Sequence, residues 1–276
     1  AAGAAQRREP AGAGPASGPS FYSATPGAGA TTQEGTLEAV QAIAAATGVP
    51  GACHLTCVGA TREEVDAVAR HYLDAGIRRI VALRGDPPGG PGHFTPHPGG
   101  YRNAADLVGG LMRIADFDIS VAAYPERHPD SPDRAADLAN LKAKLDAGAA
   151  RAVTQFFFDA EDFLRFRDEA RKAGIDKPLV PGIMPIRDLD QIRRFAAACG
   201  ASVPDFVADR IEAAGPERAD RQAVSVDLAA ELCERLAGEG IGAFHIYTLN
   251  QSDMTAALCA RLRAGEAATV DQPAGD

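Results

Sequence analysis

Arg79-Ile-Val-Ala-Leu-Arg-Gly-Asp86 is a short, β-rich apolar run that ends without a spacer in a base, a glycine and an acid. Before it lies an amphipathic helical stretch, 61–75, closed by Gly76, and after it another, 102–115. Helix, short apolar strand and helix in succession make a parallel βαβ unit, because a strand buried on both faces needs no polar alternation. Working outward, the same unit recurs. Strands are read near 21–25, 52–58, 78–83, 118–122, 150–155, 179–183 and 242–247. Helices are read near 34–46, 61–75, 102–115, 133–147, 160–173, 187–199, 203–212, 216–238 and 251–262. Thr61-Arg-Glu-Glu64 is a capping box, and Gly76, Gly148, Gly174 and Gly240 stand where helices should stop. Seven such strands exceed what a small doubly wound domain needs and fall one short of a closed barrel. The expected fold is α/β, a TIM-type (β/α)8 barrel over 21–263 with one strand unaccounted for. Residues 1–20, rich in Ala, Gly and Pro, and residues 264–276 are read as tails.

Composition narrows the function. The 276 residues carry a net charge of −9 with no long basic run, which argues against a nucleic-acid partner. Five cysteines at scattered spacings do not resemble a disulfide framework, so a reducing, cytoplasmic setting is expected. No apolar run reaches the length of a membrane span. There is no strand-linked G-x-G-x-x-G, P-loop or G-x-S-x-G element, against a Rossmann domain, an NTPase or an α/β-hydrolase.

In a barrel of this kind the chemistry gathers just past the carboxyl ends of the strands. Those positions hold Thr25, His54, Arg84-Gly85-Asp86, Ala122 to Tyr124, Gln155, Pro181-Gly182-Ile183 and Tyr247 to Asn250. Polar groups gathered at one rim favour a ligand site. Taken alone, Arg84-Gly85-Asp86 reads equally well as a ligand-binding turn or as a strand-end turn with a local ion pair. In Cys53-His-Leu-Thr-Cys57 the two thiols share one strand face and His54 takes the other, so buried apolar cysteines are expected and no metal. Asp137, Asn140 and Lys144 share a helix face that alone reads as a solvated stripe and, beside the rim, as an edge that could meet a ribose or pyrophosphate. Gln155 offers a paired donor and acceptor suited to an amide-like ring edge.

These stretches, in order, resemble the bacterial methylenetetrahydrofolate reductases. The likeness runs through His54-Leu-Thr-Cys57, Ile80 to Asp86, Ala115 to Glu126 with His128, and Asn140-Leu-Lys142. It continues in Asp146-Ala-Gly148, Thr154 to Asp159, Pro181-Gly-Ile183, Phe244-His245 and Tyr247-Thr-Leu-Asn250. The resemblance implies an enzyme that uses FAD and NADH or NADPH to reduce 5,10-methylenetetrahydrofolate by ping-pong hydride transfer.

 Its implied partners are the folate and the nicotinamide dinucleotide, with assembly as a homo-oligomer. By the same likeness Thr25, His54, Arg84, Gly85, Asp86, Ala122, Tyr124, His128, Asp137, Asn140 and Lys144 fall at FAD-contacting positions. Asp86 would lie near the pyrimidine side of the flavin and tune its electronics. Gln155 would hold the pterin or nicotinamide, Gln191 and Phe195 stand at further substrate-contacting positions, and Gln251 replaces a usual substrate-contacting arginine. Pro26 and Asn103 replace aromatic residues of the pattern, and Ala143 replaces a basic one. The family's first strand carries a glutamate in a Phe-Glu-Phe-Phe-Pro-Pro type motif, the general acid of the reaction, and no such motif occurs here. The alternative reading is therefore a truncated or catalytically impaired flavin- and folate-binding relative.

Overall fold

The strands are β1 (Ala2–Arg7), β2 (Phe21–Ala24), β3 (Gly51–Thr56), β4 (Arg79–Leu83), β5 (Asp118–Ala123), β6 (Arg151–Phe156), β7 (Leu179–Ile183) and β8 (Ala243–Ile246). The helices are α1 (Gln33–Thr47), α2 (Arg62–Asp74), α3 (Ala104–Ile114), α4 (Arg134–Asp146), α5 (Ala160–Lys172), α6 (Leu189–Cys199), α7 (Asp205–Ala213), α8 (Arg218–Gly238) and α9 (Ser252–Val270). This computed structural model describes residues 2–7, 19–25, 33–86 and 94–270, with backbone alone for 2–7, 33–34 and 264–270. Pro26, Glu9 and Pro10 lie outside the described residues.

From β2 to β8 each strand pairs in parallel with the next, giving the seven strands expected. Element ends agree with the sequence reading to within two residues, except at α9. That helix runs on to Val270, into the stretch read as a tail, through an Ala-rich run of good helix formers. The other departure is β1. Ala2–Arg7, also read as tail, pairs antiparallel with both β2 and β8 and closes the ring. Its sequence, Ala-Gly-Ala-Ala-Gln-Arg, has no strand signature. Two facing strand edges nevertheless offer a row of unpaired N–H and C=O groups, and those can be met by any extended backbone. Among the described residues an antiparallel strand stands at this position where a regular barrel has a parallel β/α unit.

Five consecutive helices begin on a side-chain cap, which sets where each strand-to-helix loop ends. Thr61 and Glu64 form the capping box of α2, with Thr61 N–H donating to Glu64 at 2.8 Å and Glu64 N–H donating back at 3.2 Å. Asn103, Asp133, Asp159 and Asp188 cap α3, α4, α5 and α6. Each such cap contributes about 1 kcal/mol. The cap explains Asn103, which stands where the family pattern has an aromatic.

The strands alternate cleanly between two faces. Leu55, Ile80, Ile119 and Val121 point outward and pack against Leu107, Leu111, Phe163 and Phe166 of the helical layer, all essentially inaccessible to water. Cys53 and Cys57 are buried on this same outer face, as the alternation requires. The inner face carries an ion-paired plug at the amino-terminal end of the barrel. Asp118 pairs with Arg79 at 3.1 Å and Arg151 at 2.7 Å, and both guanidiniums lie over the Phe21 ring. The opposite rim is left for the site.

Candidate active site

Beyond the carboxyl ends of β4 and β5 lies a cavity of about 450 Å3. Arg84, Gly85, Asp86, Ala122, Tyr124, His128, Asn140 and Lys144 all line it, joined by Phe94, Asn103, Asp130 and Ser131. Gly85 sits at φ +84°, and a Cβ there would fall 2.5 Å from Val58 Cγ1, so the turn accepts only glycine without rearrangement. Arg84 is clamped in place. Its Nη1 donates to Asp130 at 2.8 Å, its Nε donates to the Gly85 carbonyl at 3.3 Å, and it lies 4.9 Å over the Phe94 ring. The ion pair anticipated for the Arg84-Gly85-Asp86 turn thus exists, but with Asp130 rather than Asp86. Asp86 itself is solvent-exposed at the cavity wall.

Lys144 reaches the cavity from α4 and is buried to 5 % exposure. Its Nζ donates to the Ala122 carbonyl at 2.6 Å, and among the described residues no carboxylate comes within ion-pairing distance. Burial lowers its pKa to about 8, Asp137 opposing and Arg84 assisting. Asp137, on the same helix, turns instead to the loop after β5, accepting from the His128 N–H at 3.3 Å and the Ser131 hydroxyl at 3.1 Å. It orders the cavity wall and does not line it. His128 Nδ1 accepts the Asp130 N–H at 3.0 Å, so the neutral ring carries its proton on Nε2. Burial, then Arg84, holds that imidazole below its ordinary pKa. Tyr124 meets His128 edge to face at 4.6 Å, and burial above all pushes its phenol up.

Thr25 and His54 are brought together away from this cavity, Thr25 Oγ1 lying 3.4 Å from His54 Nδ1. His54 Nε2 is buried and has no hydrogen-bond partner among the described residues. Burial, then His245, lowers the His54 pKa to about 3, so the ring is neutral.

A second cavity, of about 580 Å3, opens beyond β7 and β8. Gln191, Phe195 and Gln251 line it together with Met184, Arg187 and Leu249. Phe195 stacks on Phe156 at 5.4 Å, yet remains 41 % exposed, and Leu249 is 50 % exposed. Leu249 and Asn250 have φ of +43° and +60°, a strained turn that holds an apolar side chain at the cavity wall. Gln155 lines neither cavity. Its Oε1 accepts the Phe156 N–H at 3.0 Å, which leaves the amide NH2 as donor. Sequence reading placed Leu249 at the rim within Tyr247 to Asn250 but missed Phe94, Asp130 and Arg187. For Asp130 the signal was its place two residues after His128 in a Pro-Asp-Ser-Pro turn; for the others there was none.

The family described as Methylenetetrahydrofolate reductase matches the chain over residues 13–263. The chain belongs to the methylenetetrahydrofolate reductase family. A 5,10-methylenetetrahydrofolate reductase of Salmonella typhimurium is 46% identical over 241 residues, covering 87% of this chain and 79% of that protein. The Escherichia coli protein of the same name is 45% identical over 241 residues, with the same coverage. Methylenetetrahydrofolate reductase (NADH) 1 of Arabidopsis thaliana is 38% identical over 84% of this chain and 41% of its own length. Among solved structures, a Clostridium thermocellum protein described as binding two copies of 5-methyl-5,6,7,8-tetrahydrofolic acid shares the fold. Its TM-score is 0.53 at 15% identity, covering 90% of this chain and 94% of that one. Members of this family are oxidoreductases. No helix among the described residues is long and apolar enough to cross a membrane.

Proposed function

We propose that this member of the family reduces 5,10-methylenetetrahydrofolate to 5-methyltetrahydrofolate with NADH or NADPH, through FAD held in the first cavity. The two substrates would use the second cavity in turn. One observation carries the flavin assignment: Lys144 is a buried ammonium at a cavity wall whose hydrogen-bond acceptor is a main-chain carbonyl. A buried cation without a carboxylate partner is costly, and a diphosphate is the counter-ion that its surroundings lack.

The residues fit the cofactor. Lys144 and Arg84 would hold the pyrophosphate, with Asn140 and the His128 Nε2–H as hydrogen-bond partners to the ribityl chain and ribose. Gly85 lets the ligand approach the backbone, and Asp86 would face the pyrimidine side of the ring. Bound FAD would supply a hydride relay from nicotinamide to the one-carbon unit of the folate. Phe195 and Leu249 give apolar walls for a flat ring, with Gln191 and Gln251 as polar contacts. Gln155 would turn its free amide NH2 to a ring edge. Burial and His245 hold His54 as the neutral imidazole at physiological pH, so it has no imidazolium proton to give the folate.

A second reading, a relative that binds flavin and folate but turns folate over slowly, is favoured by β1. The strand at the first position carries no carboxylate and runs antiparallel. The two readings separate in one experiment on the full chain reconstituted with FAD. Both expect a yellow protein that oxidises NADH with a quinone acceptor. The active enzyme also turns over methylenetetrahydrofolate at a comparable rate, whereas loss of a general acid lowers that half-reaction by roughly 100- to 10,000-fold. A folded, colourless protein that takes up no FAD refutes both.

A further inference from the structure

A third cavity, of about 480 Å3, adjoins the second and shares Ile186, Arg187, Asp188 and Gln191 with it. Its far wall comes from the start of α8: Pro216, Arg218 and Arg221. Three guanidiniums thus meet one carboxylate, Asp188, which already accepts the Gln191 N–H at 2.7 Å as the cap of α6. Arg187 and Arg218 are exposed, and among the described residues neither has an ion-pair partner. Arg221 is half-buried and braced, its Nε donating to the Gly215 carbonyl at 2.5 Å. Helix α8 brings its amino terminus to the same place, with Asp220 in its first turn as an opposing charge. Its N-cap, Glu217, makes no side-chain capping bond, so the first N–H groups of a 21-residue helix stay available to another acceptor. Two arginines without ion-pair partners lining one cavity stand out on a chain of net charge −9.

We propose that the third cavity is an anion subsite for the tail of the ligand whose ring occupies the second. This rests on the reading of the second cavity as the folate and nicotinamide site. The shared wall from Ile186 to Gln191 gives a tail a continuous path out of the ring pocket and onto the arginines. Guanidinium forks suit carboxylate and phosphate alike. Two tails have that chemistry: the γ-linked glutamyl chain of a folate and the phosphates of a nicotinamide dinucleotide.

The test uses the full chain loaded with FAD, as wild type, Arg218→Gln, Arg218→Lys and the Arg187→Gln/Arg218→Gln double variant. Dissociation constants are measured by equilibrium dialysis for 5-methyltetrahydrofolate with one and with three glutamyl residues, and for NADH and NADPH. Loss of a charge-assisted contact is expected to weaken the tailed ligand roughly tenfold or more, with partial rescue by lysine. A loss confined to the folates assigns the site to carboxylates, and one confined to the nicotinamide nucleotides assigns it to phosphate, the 2′-phosphate if NADPH alone is affected. FAD content and melting temperature report folding, which the exposed Arg218 does not support. If wild type binds the monoglutamate, and neither triglutamate nor NADPH loses affinity in any variant, the subsite is refuted while the folate site stands. If wild type binds neither folate nor nicotinamide nucleotide, the reading of the second cavity fails and the subsite falls with it.

Discussion

Replacing Lys144 with methionine should move stability and cofactor affinity in different directions. Burial brings the lysine from its ordinary pKa of 10.5 to about 8. At about 1.4 kcal/mol per tenfold, keeping that charge in the empty site at neutral pH costs about 3 kcal/mol. Methionine removes this cost while leaving the Ala122 carbonyl without its donor, a loss of about 1–3 kcal/mol. The FAD-free variant should therefore be as stable as wild type, or more stable by up to about 2 kcal/mol, in urea unfolding. FAD affinity, in contrast, loses a buried charge-assisted contact of about 1.5–3 kcal/mol, or roughly 10- to 150-fold in the dissociation constant. The pH dependence follows from the lowered pKa. Between about 8 and 10.5 the unfolded wild type holds a proton that the FAD-free native protein has released, so wild-type stability rises with pH relative to the variant. Bound diphosphate favours the protonated lysine, so FAD affinity is full below about 8 and declines above it in wild type, while the variant shows no such decline. Titration of FAD fluorescence against pH measures both. An unchanged FAD dissociation constant in Lys144→Met would refute the assignment of Lys144 as the anion's partner.

Two further substitutions test the rim and the barrel interior. Gly85→Ala forces a Cβ into a φ of +84° and to 2.5 Å from Val58 Cγ1. Backbone strain and overpacking together should cost about 2–4 kcal/mol and weaken FAD binding, and an unaltered urea midpoint would show that the turn relaxes freely. His245 is 5 % exposed, and burial lowers its pKa to about 4. Between about 4 and 6.5 the unfolded chain binds a proton that the native imidazole refuses, so stability falls as the pH is lowered through that window. His245→Gln should remove up to about 3 kcal/mol of that acid sensitivity, read from urea midpoints at pH 7 and pH 4, and parallel losses in both proteins would count against it.

The strands from β2 to β8 and the helices between them could be read locally because their signals are local. Alternation, helical period and caps such as Thr61 and Asp133 depend on residues within about four positions of one another. The same holds for Arg84, Gly85, Tyr124, His128, Asn140 and Lys144: each follows a strand or faces along one helix, so a shared rim could be inferred before any distance was known. Asp137 shows the limit. Its spacing matched that of its neighbours, but it faces the loop after β5, because the His128 N–H and Ser131 hydroxyl are there to be satisfied.

What depended on the closed ring lay beyond such reading. Ala2–Arg7 becomes a strand because two distant edges leave backbone groups unpaired, a demand that no side chain in the segment announces. Arg84 takes Asp130 as its partner across 46 positions, and Asp118 gathers two arginines from neighbouring strands. The third cavity joins Arg187 to Arg218 across the α6 and α7 excursion. Secondary structure follows from short-range sterics and hydrogen bonding, so it is written along the chain. Charge pairing and cavity shape are sums over groups that only folding brings together, and their partners therefore become visible in three dimensions.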